Sequence, residues 1–148
     1  MFATAVSPQI MKEYVDTGKV RWVFRNLSFM SQESLWAAEA THCANDQDMF
    51  WPYHDKLFAA PTTAGALSRD NLKRMAKEAG LNEATFNACM DSGKYAGQIA
   101  KDNSVAEQSG VNSTPSFLVN GRLVMLTGNS EAAWIANFKK ELDAELAK

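Results

Sequence analysis

Long apolar runs and clusters of basic residues are both missing from this sequence. No apolar run approaches the roughly 18 residues that a membrane-spanning helix needs, so we expect no membrane insertion. The opening stretch MFATAVSPQIMKEYV has neither the basic segment nor the long apolar segment of a secretory signal peptide. The 15 Lys and Arg residues are scattered and the formal net charge is −2, which argues against binding to nucleic acid.

Cysteine is scarce as well. The chain has two, Cys43 and Cys89, which lie far apart in sequence and so form neither a CxxC pair nor a zinc-binding set. His42 and His54 lie near Cys43 and near acidic residues, but their spacing matches no zinc site. We expect both histidines to be structural, and we expect the protein to hold neither a metal ion nor a cofactor.

The 148 residues, 46% of them apolar, are enough for one well-buried core, and turn residues divide them into elements. Residues 2–16 are predicted to form a helix that Pro8 kinks or divides and that ends near Gly18. In VRWVFRNL, residues 20–27, Val20, Trp22 and Phe24 alternate with Arg21, Val23 and Arg25, and the content of β-branched and aromatic residues predicts a β-strand.

A block of helices is predicted to follow this strand. Ser31 and Ser68 each precede a helical stretch as an N-cap residue, and Cys43 falls on the apolar face of the first of these helices. The closing stretch SEAAWIANFKKELDAELAK is predicted to be an amphipathic helix. The residues predicted to face the core from this last helix are Ile135, Phe138, Leu142 and Leu146.

The stretch VNSTPSFLVNGRLVML predicts a β-hairpin. Asn120-Gly121 between two apolar runs favours a two-residue turn, because both residues tolerate positive φ. We expect Ser116–Val119 and Arg122–Leu126 to pair as antiparallel strands. Pro115 stands at the start of the first strand, where it has no N–H to donate to a neighbouring strand.

Four stretches together resemble one family. They are PQIMKEYVDTGKVRWVFRN, AAEATHCANDQDMFWPYHDKLF, LSRDNLKRMAKEAGL and GVNSTPSFLVNG. In this order they are similar to the DsbA-like thiol:disulfide oxidoreductases of bacteria. The resemblance implies an α/β, thioredoxin-like fold with residues 1–28 and 111–148 in the thioredoxin-like domain and residues 29–110 in an inserted helical domain.

The resemblance also assigns site residues. It implies that the Thr114-Pro115 peptide bond is cis and that this loop binds an extended substrate polypeptide as an added strand. It implies that Cys43 and Cys89 form a structural disulfide. From the residues alone, two inert buried thiols are the alternative interpretation of Cys43 and Cys89, because free cysteine is among the most buried residue types.

The sequence also departs from the family pattern. Family members begin with a strand that leads into CxxC, and nothing at MFATAVSPQI replaces that strand or its cysteines. We expect either that the chain starts after the motif or that it is a non-catalytic relative, and in both cases that it is redox-inactive alone. The expected neighbours of the absent strand, Val20–Leu27 and Ser116–Val119, would then stand apart, pair directly, or accept a strand from a second copy or from an N-terminal segment.

Three functions remain in consideration. The first is thiol:disulfide exchange with cysteine-containing polypeptides, together with an unidentified redox partner, in an extracytoplasmic or periplasmic compartment. The second is a non-catalytic, chaperone-like module that binds peptides at Thr114-Pro115, and the third is a glutathione-dependent transferase or isomerase. Translating the DNA upstream of Met1 would separate them, because CxxC there supports the first, a stop codon the second, and a lone Ser or Cys the third.

Overall fold

The computed structural model describes residues 2–148, which form two compact units. One unit contains residues 2–24 and Ser113–Lys148, and the other is Arg25–Asn112. The division predicted from the sequence placed the boundaries after residues 28 and 110.

The first helical segment has three parts, a π-helix at Phe2–Val6, the short α-helix α1 at Ser7–Ile10 and a second π-helix at Met11–Val15. The other helices are α2 (Gln32–Asn45), α3 (Phe50–Phe58), α4 (Arg69–Glu78), α5 (Glu83–Ser92), α6 (Ala96–Gln108) and α7 (Glu131–Leu146). The strands are β1 (Phe117–Val119) and β2 (Arg122–Val124).

The predicted effect of Pro8 on the first helical segment is visible in its hydrogen bonding. The first π-helix ends at Val6 and α1 begins at Ser7, with Pro8 in its first turn, so the hydrogen-bonding pattern changes where proline supplies no N–H, while the backbone stays helical through Val6. The segment closes before Gly18, whose φ of 73° lies in the left-handed region, as the sequence predicted.

The hairpin forms through the predicted two-residue turn. Val119 pairs with Arg122, and both turn residues have positive φ, 48° at Asn120 and 81° at Gly121. These values fit the turn that matches the twist of paired strands. The strands are shorter than predicted, since β1 begins at Phe117 and β2 ends at Val124.

The predicted strand over residues 20–27 is wrong. These residues belong to no helix or strand, and the described sheet consists of β1 and β2 alone. Within residues 20–24, Val20, Trp22 and Phe24 are nevertheless half-buried while the two residues between them are exposed. The alternation therefore predicts correctly which side chains turn inward, but a strand must also pair with another strand, and the described sheet contains β1 and β2 alone.

The unit formed by the two ends of the chain is built around the first helical segment and α7. The buried residues of its core cluster are Val6, Ile10, Tyr14, Phe138 and Leu142. Phe2 adds an aromatic cluster, with its ring centroid 4.3 Å from Phe117 and 6.2 Å from Trp22. Tyr14 Oη donates a 2.8 Å hydrogen bond to Asp143 Oδ1, and burial together with this bond raises the pKa of Tyr14 to about 12.

The predicted inward face of α7 is correct at its centre and wrong at its end. Phe138 and Leu142 are buried and Ile135 is half-buried, but Leu146 is 48% exposed. Leu146 is the last residue of the helix, where the packing surface has ended although the apolar periodicity continues.

The unit Arg25–Asn112 is all-helical and has its own core. The buried residues of its main core cluster are Ala40, Cys43, Ala44, Tyr53, Leu57, Leu72, Met75, Ala76, Leu81, Phe86 and Met90. All of them except Leu81, which lies between α4 and α5, come from the four helices α2 to α5, whose apolar faces meet in this core. Tyr53 is fully buried and its hydroxyl donates to the Leu72 carbonyl at 2.9 Å, which satisfies its polar atom.

The two predicted N-cap serines behave differently. Ser31 Oγ accepts a 3.2 Å hydrogen bond from the N–H of Ser34 at the start of α2. Ser68 stands at the N-cap position of α4, but its side chain makes no capping hydrogen bond. The sequence thus identified both positions and could not show which hydroxyl would be used.

This difference gives a matched pair of variants. Ser31→Ala should lower the free energy of unfolding by about 1 kcal/mol, the usual cost of losing an N-cap hydrogen bond. Ser68→Ala should lower it by less than about half of that, because no capping bond is lost. Urea unfolding followed by circular dichroism measures both, and an equal loss from the two variants would contradict the assignment of the caps.

Candidate functional site

The loop before β1 is exposed and contains the residues that the resemblance singled out. Thr114 and Pro115 are both exposed, and the peptide bond between them is cis. Ser116 Oγ donates a 2.6 Å hydrogen bond to the Ser113 carbonyl, which closes the loop on itself just before the strand. The structure thus presents Thr114 and Pro115 at the surface, beside the first residues of β1.

β1 has one hydrogen-bonded side and one unpaired side. The turn joins the Val119 carbonyl to the Arg122 N–H, so Val119 and Arg122 form a hydrogen-bonded pair. Because such pairs alternate along an antiparallel ladder, the next pair, Leu118 with Leu123, points its backbone groups away from the partner strand. Within residues 2–148 no further strand pairs with β1, so the N–H and C=O of Leu118 lie along an unpaired edge.

Side-chain contacts hold the hairpin in place within its unit. Arg122 forms ion pairs with Glu141 at 2.6 Å and Glu145 at 3.5 Å, both on α7. On the inward face, Phe117 packs edge-on against Phe138 with ring centroids 4.9 Å apart. The unpaired edge of β1 is therefore carried by a hairpin that is anchored by one polar and one apolar contact.

The two cysteines, which the resemblance also singled out, are bonded to each other. Cys43 near the end of α2 and Cys89 in α5 form a disulfide, with their Cα atoms 5.9 Å apart. Cys43 is 2% exposed within the core of its unit, whereas Cys89 is partly exposed. The prediction of a disulfide is confirmed, and the alternative of two buried thiols is wrong.

A polar cluster stands beside the disulfide. Asp46 Oδ2 receives a 2.7 Å hydrogen bond from Lys94 Nζ, and Asp46 Oδ1 receives one from the Tyr95 hydroxyl. The Tyr95 ring stacks on the His42 ring with centroids 4.8 Å apart. The end of α2 and the turn between α5 and α6 are therefore joined by hydrogen bonds at the place where the disulfide also joins α2 to α5.

The charges in this cluster shift one another's protonation. The ammonium of Lys94, and next the hydroxyl of Tyr95, hold the pKa of Asp46 below its usual range. The same hydrogen bonds raise the pKa of Lys94 and of Tyr95. At neutral pH the cluster therefore contains a carboxylate, an ammonium and a neutral phenol.

The two histidines differ in environment. His54 is 5% exposed, its Nδ1 lies 2.9 Å from Asp55 Oδ1, and its ring lies among the aromatic rings of α3. His42 Nε2 lies 3.8 Å from Asp102 Oδ2, which is longer than a hydrogen bond. Across residues 2–148, no three His, Cys, Asp or Glu side chains are grouped as a metal site would require.

None of the helices in the described part of the chain combines the length and apolar character needed to cross a bilayer.

Comparison with known proteins identifies the family. A family model described as Thioredoxin matches residues 1–144, and the chain belongs to this family. The crystal structure of BdbD from Bacillus subtilis (oxidised) superimposes with a TM-score of 0.86 at 26% identity, over 99% of this chain and 80% of that chain. The thioredoxin-like fold predicted from the sequence is confirmed, with a two-stranded sheet in the described residues.

Similar proteins include a disulfide bond formation protein and an antiporter. Disulfide bond formation protein D of Bacillus subtilis is 26% identical over 136 residues, which cover 84% of this chain and 58% of that protein. The Na(+)/H(+) antiporter NhaA 3 of Salinispora tropica is 35% identical over 117 residues, 78% of this chain and 18% of the antiporter. The predicted resemblance to disulfide oxidoreductases is confirmed, whereas these comparisons do not support the further expectation of a missing strand and CxxC pair.

The sequence analysis did not predict the polar residues that lie beside the disulfide. Asp46 comes three residues after Cys43, a spacing that places both on one side of a helix end, and this was the available signal. Lys94 and Tyr95 follow α5 in a turn, and only the tertiary fold brings them to Asp46. Leu118 was predicted to lie in a strand, but its position on the unpaired edge depends on the register of the hairpin.

Removing the disulfide should cost the helical unit much of its stability. The bond closes a loop across a sequence separation of 46 residues. The combined variant Cys43→Ala and Cys89→Ala should lower the free energy of unfolding by about 2–4 kcal/mol. Dithiothreitol should destabilise the wild-type chain to a similar degree and leave the variant unchanged, as measured by thermal unfolding. A loss of less than about 1 kcal/mol would contradict a stabilising role for the bond.

Proposed function

We propose that this chain belongs to a thiol:disulfide oxidoreductase that acts on cysteine-containing polypeptides, and that the chain itself binds the extended polypeptide. The observation that carries the proposal is the superposition on BdbD over nearly the whole chain, together with the thioredoxin family match. The chain spans 58% of the length of its Bacillus subtilis relative, and the activity is inferred for the whole protein on this basis.

The binding surface that we propose is the unpaired edge of β1 with the Thr114-Pro115 loop. Leu118 offers one backbone donor and one acceptor along this edge, and the loop beside it is exposed. An extended polypeptide can add to such an edge as a strand, with main-chain hydrogen bonds supplying affinity without demanding a particular sequence. This tolerance suits an enzyme that must accept many substrates.

The chain's own cysteines support the binding role more than a catalytic one. Both are joined in the disulfide, so neither is a resting thiolate nucleophile. Exchange with a substrate would therefore use cysteines other than Cys43 and Cys89, and would also need a redox partner. A chaperone-like module is the alternative, and it shares the same binding edge.

The disulfide and the unpaired edge of β1 also support a proposal for the compartment and the assembly. A disulfide persists in an oxidising environment, which supports an extracytoplasmic location. The unpaired edge of β1 would also accept a strand from a second copy, which gives a strand-exchanged dimer as a competing occupant. Sedimentation at rising concentration, with and without peptide, separates dimer formation from substrate binding.

Two variants at one position test the binding edge. Leu118→Pro removes the N–H on the unpaired side and leaves the bonds between β1 and β2, because proline is tolerated where the N–H faces away from the partner strand. It should weaken binding of a short, labelled, unstructured peptide by at least about fivefold, the effect of one lost hydrogen bond. Leu118→Ala keeps the N–H and should bind normally in a fluorescence anisotropy titration. Equal affinities for the two variants would rule out strand addition at this edge.

A turnover assay tests the division between binding and catalysis. The 148-residue chain should not accelerate the reduction of insulin by dithiothreitol, because Cys43 is buried and neither cysteine belongs to a CxxC pair. The variant that lacks both cysteines should behave identically. Turnover that disappears on Cys43→Ala would make Cys43 a nucleophile and overturn the assignment of a purely structural disulfide.

A further inference from the structure

The two sulfurs of the disulfide differ in how a thiol can reach them. Cys43 is 2% exposed among apolar side chains, while Cys89 is partly exposed. A thiolate opens a disulfide by attacking one sulfur and expelling the other. Cys89 is therefore the residue that a thiol from solvent reaches more easily, which favours attack at its Sγ with Cys43 as the leaving group.

A carboxylate lies beside the sulfur that is open to attack. Asp46 Oδ2 is 3.9 Å from Cys89 Sγ. A disulfide sulfur carries no proton, so this is a contact between a charged oxygen and the sulfur, not a hydrogen bond. Lys94 and Tyr95 hold the carboxylate in place, and the same oxygen that contacts the sulfur accepts from Lys94.

We propose that Asp46 is a positioning residue that controls how fast thiols open the Cys43–Cys89 disulfide, by repelling anionic thiolates from Cys89. The ammonium of Lys94, bound to the same carboxylate oxygen, offsets part of this repulsion. Both groups act through their charge, because neither forms a bond in the exchange. This inference rests on the disulfide and its neighbours and does not depend on the proposed function of the whole protein.

The chemistry is an exchange between sulfurs. A thiolate from a small thiol bonds to Cys89 Sγ while the bond between the two cysteine sulfurs breaks. The electron pair leaves on Cys43 Sγ, which takes up a proton from solvent. A second thiolate then attacks the mixed disulfide, releases the oxidised small thiol and leaves Cys89 reduced.

The charge account predicts opposite effects for the two members of the ion pair. Asp46→Asn leaves Lys94 uncompensated, so reduction by glutathione, which is anionic, should be about fivefold faster at low salt, the effect of one charge at about 4 Å in water. Lys94→Gln leaves the carboxylate uncompensated, so the same reaction should be slower. With cysteamine, whose ammonium opposes its thiolate charge, both changes should be smaller.

A third variant and a salt series complete the test. Asp91 lies on α5 and forms an ion pair with Lys73 at 2.7 Å. Because Asp91 is two positions from Cys89, the two side chains lie on different faces of the helix. Asp91→Asn should leave the rate unchanged although it removes the same charge. Quenched-flow alkylation and mass spectrometry measure the rates, and the differences should disappear at about 1 M salt, where the screening length is about 3 Å.

The outcomes separate charge from packing. If the cluster merely holds the helices together, Asp46→Asn and Lys94→Gln will both speed reduction with every thiol and at every salt concentration, and the proposal fails. It also fails if Asp46→Asn leaves the glutathione rate unchanged or if Asp91→Asn accelerates it equally. Thermal unfolding of the oxidised form shows whether each variant folds. If Asp46→Asn or Lys94→Gln does not fold, the direction of the rate change in the other variant tests the proposal.

Discussion

The backbone groups of Leu118 on the unpaired side of β1 are the constraint around which the proposed function is built. A strand in a sheet must satisfy its N–H and C=O groups on both sides, through a neighbour, a ligand or water. Within residues 2–148, β1 has β2 on one side and no strand on the other. The anchoring of the hairpin to α7 by Arg122 and Phe117 keeps this side, which no strand pairs, in a fixed place, as a binding edge requires.

The sequence predicted local structure well where local chemistry decides it. The turn at Asn120-Gly121, the end of the first helical segment before Gly18, and the cap at Ser31 all follow from residue types with strong backbone preferences. Residues 20–27 show the limit of such reasoning. Their alternation gave the correct inward side chains in residues 20–24, but pairing is a tertiary property that one stretch cannot specify.

The candidate site, too, was predictable only in part. The Cys43–Cys89 disulfide followed from resemblance to a family, because the spacing of two cysteines does not fix their pairing. The cluster of Asp46, Lys94 and Tyr95 could not be predicted, since it forms only when the turn after α5 reaches the end of α2. Ser68 and Leu146 illustrate the same point for helix caps and for the core. Ser68 is a favoured N-cap residue, but its side chain makes no capping hydrogen bond. Leu146 is apolar, but it lies at the end of α7 and is exposed.

The exchange rate of the Leu118 amide proton tests the central claim most directly. Hydrogen exchange followed by NMR should show this amide exchanging quickly in the free chain, since its N–H faces the unpaired edge, while the amide of Arg122, bonded across the turn, exchanges slowly. Addition of an unstructured peptide should protect Leu118 and leave Arg122 unchanged. If Leu118 is already protected in the free monomer, or if saturating peptide leaves its exchange rate unchanged, the edge of β1 is not the binding surface.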